Sequence, residues 1–587
     1  MLISAILKKT SPLVLGLIIA VGSMSAYFLF VGHPVWGDCD DVFMSMIAAG
    51  ISMVSIQQPS ADLVFIHPFY GWFISHLYMW EPEVPWYGIF FILIVGLSLV
   101  TLNYSILRLR RQLNFSIVVI CATIGTVLPS LWHLQFTIVA GLATMAGLIL
   151  LLSFFMCEPA IKKSFIVGIL TSLCLLLIGA MIRFQSVLLV CVLFTPFAII
   201  VFFKFARSTQ SNNFKKKYIL KFLIVGIIVG VSMIGLQAYK QRYYGNSPEW
   251  TKWFSLNKAK SEFLDYGRIK YNEQTRNIFD SMNWSKTDYD MIMSWQYVDP
   301  VKFAPEKFIY VVNSLQKGTL GWEYSFGQIV KMIKRTKAIL DRAYSLMLCI
   351  LVGALMIRWR KWNFLYVSSI VFATIAVLFY LYFGLDRAPL RVLMPLWISV
   401  LWMMLLVAAK SNNSSTTQVG RWKGCKTVAR VILIFMLSVA VYKDFGYARD
   451  IVKNRVIGQR SLEHRIKTWN TNLPQNSIIY NIGISFPFPS HLPLKSFAYL
   501  RSIKGFISTS WINQTPFQRQ IINALGLSDD FYASLAQKEH VYMVKRKVDS
   551  EKELSPLRNH YNERYGLKLS LVEEPNLPHL YRMVFEK

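Results

Sequence analysis

Runs of about 20 apolar residues recur along most of this chain, and such a segment is most stable as a helix in the hydrocarbon core of a bilayer. Phe90-Phe91-Ile92-Leu93-Ile94-Val95-Gly96-Leu97 is one example, and Phe222-Leu223-Ile224-Val225-Gly226-Ile227-Ile228-Val229-Gly230 is another. Neither carries the polar stripe that a surface helix keeps toward water. Of the 587 residues 54% are hydrophobic and 16% charged, too apolar a mixture for a water-soluble chain of this length. The hydropathy predicts eleven spans, near 12–31, 86–106, 115–132, 136–156, 164–182, 186–204, 218–238, 343–358, 362–383, 389–409 and 426–443. The first is read as an uncleaved span rather than a signal peptide, because its apolar part is too long and no small-residue cleavage site follows.

The charges between the spans set an orientation. Arg108-Leu109-Arg110-Arg111, Lys162-Lys163, Lys215-Lys216-Lys217, Arg358-Trp359-Arg360-Lys361 and Arg421-Trp422-Lys423 all fall on the side of Lys8-Lys9, which makes that side and the N-terminus cytoplasmic. The segment from Gly32 to Pro85 has no Lys or Arg and instead carries Asp38, Asp40, Asp41, Asp62, Glu81 and Glu83. The net charge of +30 is thus expected to face lipid headgroups. No zinc-finger spacing or RNP motif accompanies it, so no nucleic-acid partner is expected. Eleven spans place three large segments on the extracytoplasmic face: residues 32–85, 239–342 and 444–587. The expected fold is therefore an α-helical polytopic membrane module, 1–443, followed by a soluble extracytoplasmic domain, 444–587. In that domain Ser477–Asn481 and Val541–Val544 read as strands and Gln518–Leu535 as largely helical, which predicts an α/β or α+β domain. Of the seven cysteines only Cys39 falls clearly outside the cytoplasm and the spans, which rules out a disulfide framework on this topology.

Trp36-Gly37-Asp38-Cys39-Asp40-Asp41-Val42-Phe43-Met44 is the sharpest local signal. Phe43, Met46, Ile47, Gly50 and Ile51 follow at helical spacing, so an interfacial helix starts near Asp40. One acid can cap that helix and another offset its dipole. Three acids in four residues exceed that need, and crowded carboxylates raise one another's pKa and suit general-base work or a divalent cation. Farther on, His67 in Phe65-Ile66-His67-Pro68-Phe69 is either a phosphate or metal contact or a hydrogen-bonded packing residue. Arg183, Arg387 and Arg391 sit at the outer ends of spans, where the positive-inside rule disfavours them. Guanidinium forks suit phosphate, while snorkelling to headgroups or pairing with Asp386 is the alternative. Trp250, Trp253, Asp265-Tyr266-Gly267 and Trp295 offer either sugar-stacking surfaces or interfacial anchors.

At the acidic loop the chain resembles the GT-C superfamily of membrane glycosyltransferases. It is more closely similar to a group of uncharacterised bacterial envelope membrane proteins with an Asp-Asp-Val/Leu-Phe-Met element, here Asp40-Asp41-Val42-Phe43-Met44. That group also has a Ser-x-x-Asp-Tyr…Trp element, here Ser285, Asp288, Tyr289 and Trp295. The resemblance implies a bacterial inner-membrane enzyme that moves a sugar from a polyprenyl-phosphate donor to an envelope glycan acceptor, with inversion. Asp40 or Asp41 would be the base, Arg183, Arg387 or Arg391 would hold the phosphate, and Asp38 would orient the acceptor or bind a metal. A divalent cation is allowed but not required, since the spacing fits no fixed ligand set. A transporter or flippase for lipid-linked glycans, a non-catalytic polysaccharide-assembly protein and an O-antigen-type polymerase are the alternatives.

Overall fold

A computed structural model describes residues 9–51, 58–157, 163–207, 212–316, 342–357, 360–411, 423–482, most of 486–587 and scattered positions between 327 and 337. Among the described residues, eight helices are long and apolar enough to cross a bilayer, and the protein is a polytopic α-helical membrane protein. They are α1 (Pro12–Phe30), α4 (Trp86–Leu107), α5 (Leu113–Trp132), α6 (Phe136–Cys157), α7 (Lys163–Ala206), α8 (Asn212–Gly245), α14 (Lys361–Phe379, extended by a π turn over Tyr380–Gly384) and α15 (Leu390–Ser411). Shorter elements separate them: α2 (Cys39–Ala48), α3 (Pro68–Trp80), α9 (Pro248–Leu264), α10 (Glu273–Ser281), α11 (Lys286–Met293), α12 (Pro305–Gln316) and α13 (Tyr344–Leu355).

The difference between eight helices and eleven expected spans has three local origins. Helix α7 covers the predicted spans 164–182 and 186–204, joined through Arg183, whose backbone is extended (φ −155°, ψ 98°). Predicted span 343–358 is the 12-residue α13, capped by Asp444, whose carboxylate accepts the Tyr344 and Ser345 backbone N–H groups at 2.9 and 2.8 Å. Predicted span 426–443 lies in the first half of α16 (Lys423–Asn472), where the side chains of 423–431 are outside the described residues. At the centre of the bundle α6 and α15 are almost wholly buried, which is why they lack the charged flank of a surface helix.

The chain after α16 forms a five-stranded mixed sheet in the order β2-β1-β3-β5-β4. Strand β1 (Ile478–Asn481) runs parallel to β2 (Phe506–Ser508) and β3 (Val541–Val544), with Ile479 opposite Phe506 and Ile478 opposite Val541. Strands β4 (Lys568–Glu573) and β5 (Leu580–Glu586) complete it antiparallel. Helices α17 (Pro516–Ala524), α18 (Phe531–Ala536) and α19 (Ser550–Tyr565) connect the strands. The predicted helical stretch 518–535 is thus two helices broken at Gly526, which has a positive φ of 62°.

One face of this sheet is covered by the segment between α8 and α13. Phe263, Phe279, Trp284, Met291 and Phe308 share a core with Ile478, Tyr480, Val541 and Met583. The Ser285…Asp288 element is part of the lock. Asp288 accepts the Ser285 backbone N–H at 2.8 Å, closing a capping box, and pairs with Lys302 at 2.9 Å and with His560 of α19 at 3.6 Å. Helices α9 to α12 and the sheet with its connecting helices are therefore packed as one outer body. Aromatic contacts dock it on the membrane module: Phe43 of α2 lies 4.7 Å from Phe488, and Phe65 lies 5.0 Å from Trp511, ring centre to ring centre.

Candidate active site

The acidic loop is placed by backbone contacts before any side chain acts. Val35 and Gly37 exchange hydrogen bonds with the α5–α6 connection: Val35 N–H to Leu131 O, Leu134 N–H to Val35 O and Gly37 N–H to Leu134 O, all 2.8–2.9 Å. A Cβ on Gly37 would come within 2.8 Å of the His133 ring, so the approach needs glycine there. Asp38 then has extended backbone and caps α2, its Oδ1 accepting the Cys39 N–H at 2.8 Å.

From that start the three acids diverge. Asp41 points inward, fully buried, its Oδ1 accepting the Tyr87 hydroxyl at 2.9 Å and the Phe136 backbone N–H at 3.2 Å. Burial, against those hydrogen bonds, holds its pKa well above the usual carboxylate range. Asp38 and Asp40 face a cavity of roughly 430 Å³. Arg391 of α15 joins them, its Nη1 bonding Asp38 Oδ2 and lying 3.4 Å from Asp40 Oδ2. Burial first, then the charge of Asp38, pushes Asp40 up to about 7, against the opposing pull of Arg391, Lys260 and Arg183. A carboxylate at that value exchanges protons near neutral pH.

The other arginines line the same cavity. Arg387 follows the π turn of α14, which opens the helix and lets the Arg387 N–H bond Leu381 O at 2.9 Å, and its guanidinium pairs with Asp265 at 3.1 Å. Arg183 occupies the break in α7. Its guanidinium lies 5.5 and 5.1 Å from the ring centres of Phe65 and Phe136, and it makes no ion pair among the described residues. Lys260 of α9 joins them, only 3% exposed, with Nζ 4.4 Å from the Trp295 ring centre and likewise no ion pair among the described residues. Burial brings its pKa down to about 8, although Asp265 and Asp40 oppose the shift. The outer body supplies the remaining wall, including Trp295, Tyr266, Phe486, Phe488, Ser510 and Trp511.

Five sequence candidates therefore converge: Asp38, Asp40, Arg183, Arg387 and Arg391. Two do not. Asp41 is turned away by the helical step of about 100° from its neighbour. His67 caps α3: its Nδ1 accepts the Phe69 N–H at 3.2 Å, its Nε2 bonds Leu236 O at 2.9 Å, and its backbone N–H bonds Met181 O at 2.7 Å. That last bond satisfies a carbonyl two residues before the α7 break, a need any broken helix in lipid must meet. Lys260, Ser510 and Trp511 went unpredicted. For Lys260 a signal exists, since it interrupts the buried stripe Trp253, Leu256, Phe263 of α9. No local pattern marks Trp511.

Asp38, Cys39 and Asp40 offer three ligand atoms within 4.8 Å of one another. The Arg391 guanidinium is already in contact with both carboxylates, so a cation would have to displace it. The donor set fits an acid–arginine cluster better than a metal centre. No protein family, curated protein or solved structure matches the chain.

Proposed function

We propose that the protein is a membrane glycosyltransferase of the inner membrane of a bacterium. On this reading it transfers a sugar from a polyprenyl-phosphate donor to an envelope glycan on the extracytoplasmic face. The observation that carries the reading is one cavity in which a carboxylate poised near neutrality meets two cations that have no ion-pair partner among the described residues. Eleven crossings are obtained when the two arms of α7, the short α13 and the start of α16 each count as a span, and that count leaves the outer body outside the cytoplasm.

In the proposed reaction Asp40 takes the proton of the acceptor hydroxyl as its oxygen attacks the anomeric carbon. The bond from that carbon to the phosphate oxygen breaks, its electron pair leaves with the phosphate, and the anomeric centre inverts. Arg391 positions Asp40 and keeps a useful fraction of it ionised. Arg183 meets the charge that appears on the leaving group, where a preorganised cation in a dry site is worth most. Trp295 and Trp511 present apolar faces suited to a sugar ring.

The test is mass spectrometry of the envelope glycans of a deletion strain complemented with wild type or with Asp40→Asn. Loss of the same sugar from the deletion and the Asp40→Asn strain, with the protein still in the membrane, supports the proposal. An unchanged glycan in the deletion strain removes it.

A further inference from the structure

The cations around the cavity are not equivalent. Arg387 is committed to Asp265, and Arg391 is shared between Asp38 and Asp40. That leaves Arg183 and Lys260, neither with a carboxylate in ion-pair contact among the described residues. Removing a lone cation from water is costly unless something compensates it. Stacking on aromatic rings returns only part of that. Two such charges on one cavity are an arrangement that an incoming anion completes.

The amount of charge matters as much as its sign. A glycosyl phosphodiester carries one negative charge. When its sugar–oxygen bond breaks, the polyprenyl phosphate left behind carries two. Resting on the glycosyltransferase reading above, we infer that Lys260 and Arg183 together seat the phosphate of the departing polyprenyl phosphate, and that the site holds this dianion more tightly than the monoanionic diester from which it forms. Lys260 is then a catalytic residue that the acid–arginine cluster does not include. Its interaction grows as the bond breaks, which is the condition for lowering a barrier rather than only tightening binding. The same preference makes the released lipid phosphate a product inhibitor.

Lys260 is also the cation of the pair whose charge depends on pH in an accessible range. Asp38 and Asp40 on α2, Asp265 and Tyr266 after α9, Arg183 on α7, Arg387 after α14 and Arg391 on α15 surround the same space. Burial lowers Lys260 to about 8, with Arg387 acting in the same direction. Above that value the seat loses one positive charge and the preference for a dianion falls.

The test uses the full-length protein in detergent and two probes, farnesyl phosphate, a dianion at pH 7.5, and its methyl ester, a monoanion. Binding is measured by competition or calorimetry. Wild type is expected to prefer the dianion by about tenfold, the weight of one charge-assisted hydrogen bond, and to lose that preference between pH 7.5 and 9.5. Lys260→Met is expected to bind both probes alike at every pH, while Lys260→Arg keeps the preference and loses its pH dependence. Equal binding of the two probes by wild type, or an unchanged preference in Lys260→Met, overturns this assignment and leaves the glycosyltransferase reading standing. If neither probe binds, or inorganic phosphate competes as well as farnesyl phosphate, the lipid-phosphate reading itself falls.

Discussion

Arg391, at the start of α15, bridges Asp38 and Asp40, at the start of α2, and so ties two helices far apart in sequence at the cavity wall. The bridge orients Asp40 and also opposes the upward push that burial and Asp38 exert on its pKa. Removing the guanidinium should leave the protein folded and move its titration.

Asp40→Asn is expected to lower the transfer rate by about 10²–10⁴, the usual contribution of a positioned general base. Arg391→Met is expected to act differently. Without that positive charge Asp40 becomes harder to ionise, so the acid limb of the pH–rate profile moves to higher pH. Rates at pH 6 should fall more than rates at pH 8.5. An unshifted limb would mean that another group is the base.

Asp41 should behave as a structural residue. Because burial favours its neutral form, Asp41→Asn is expected to retain transfer activity. Asp41→Ala leaves the Tyr87 hydroxyl and the Phe136 N–H without their acceptor, which costs roughly 1–3 kcal/mol per buried group. Thermal unfolding in detergent, read beside activity, separates the two variants. Full loss of transfer in a stable Asp41→Asn protein would return Asp41 to the chemistry.

Gly88 of α4 tests how the outer body docks. A Cβ there would fall 2.0 Å from the Pro493 carbonyl oxygen, a backbone atom that cannot swing aside. Gly88→Ala is expected to destabilise the protein by about 1–3 kcal/mol, as overpacking does, and to increase protease access to the 488–501 segment. Gly226→Ala, with nothing within 4 Å of the added methyl, should change neither stability nor protease access.

Acid stability should report on Asp288. Burial raises its pKa, but hydrogen bonds from His560, Lys302 and the Ser285 N–H outweigh burial, and the net direction is downward. A carboxyl held lower in the folded than in the unfolded state adds stability above its unfolded value, near 3.9. That stability is lost as pH falls through the folded value. Tryptophan fluorescence should therefore show wild type losing stability below about pH 4. Asp288→Asn should be less stable at pH 7 and flatter in acid. Parallel curves would show that the lock does not depend on this charge.

The membrane class could be read from hydropathy because each span must satisfy the same lipid requirement on its own, with no help from distant residues. The break in α7 has a sequence mark, Arg183 inside a long apolar run, and so do the acids at the start of α2. What the sequence left open is angular and tertiary. Asp40 and Asp41 are neighbours with the same side chain, and only the rotation of α2 against Tyr87 and Phe136 separates a cavity residue from a buried one. Arg387 and Arg391 looked equivalent to Arg183 as span-end arginines, and their commitments to Asp265 and to the Asp38–Asp40 pair arise from contacts over long sequence distances. Lys260 had only a faint mark, its place in the apolar spacing Trp253, Leu256, Phe263 of α9, and its position in the cavity wall arises from contacts with other elements.

The outer body takes its core from two stretches separated by the last helices of the bundle. During synthesis, α9 to α12 emerge long before the strands that cover Phe263, Trp284 and Phe308. Those side chains must therefore wait, exposed or shielded by some other surface, until about the final hundred residues arrive. Trp511 and Ser510 come with that last portion and close the cavity. A chain that stalls or is clipped after α16 would thus have all of the bundle and Asp40, Arg183, Lys260 and Arg391, yet lack the wall that Trp511 and Ser510 give the cavity.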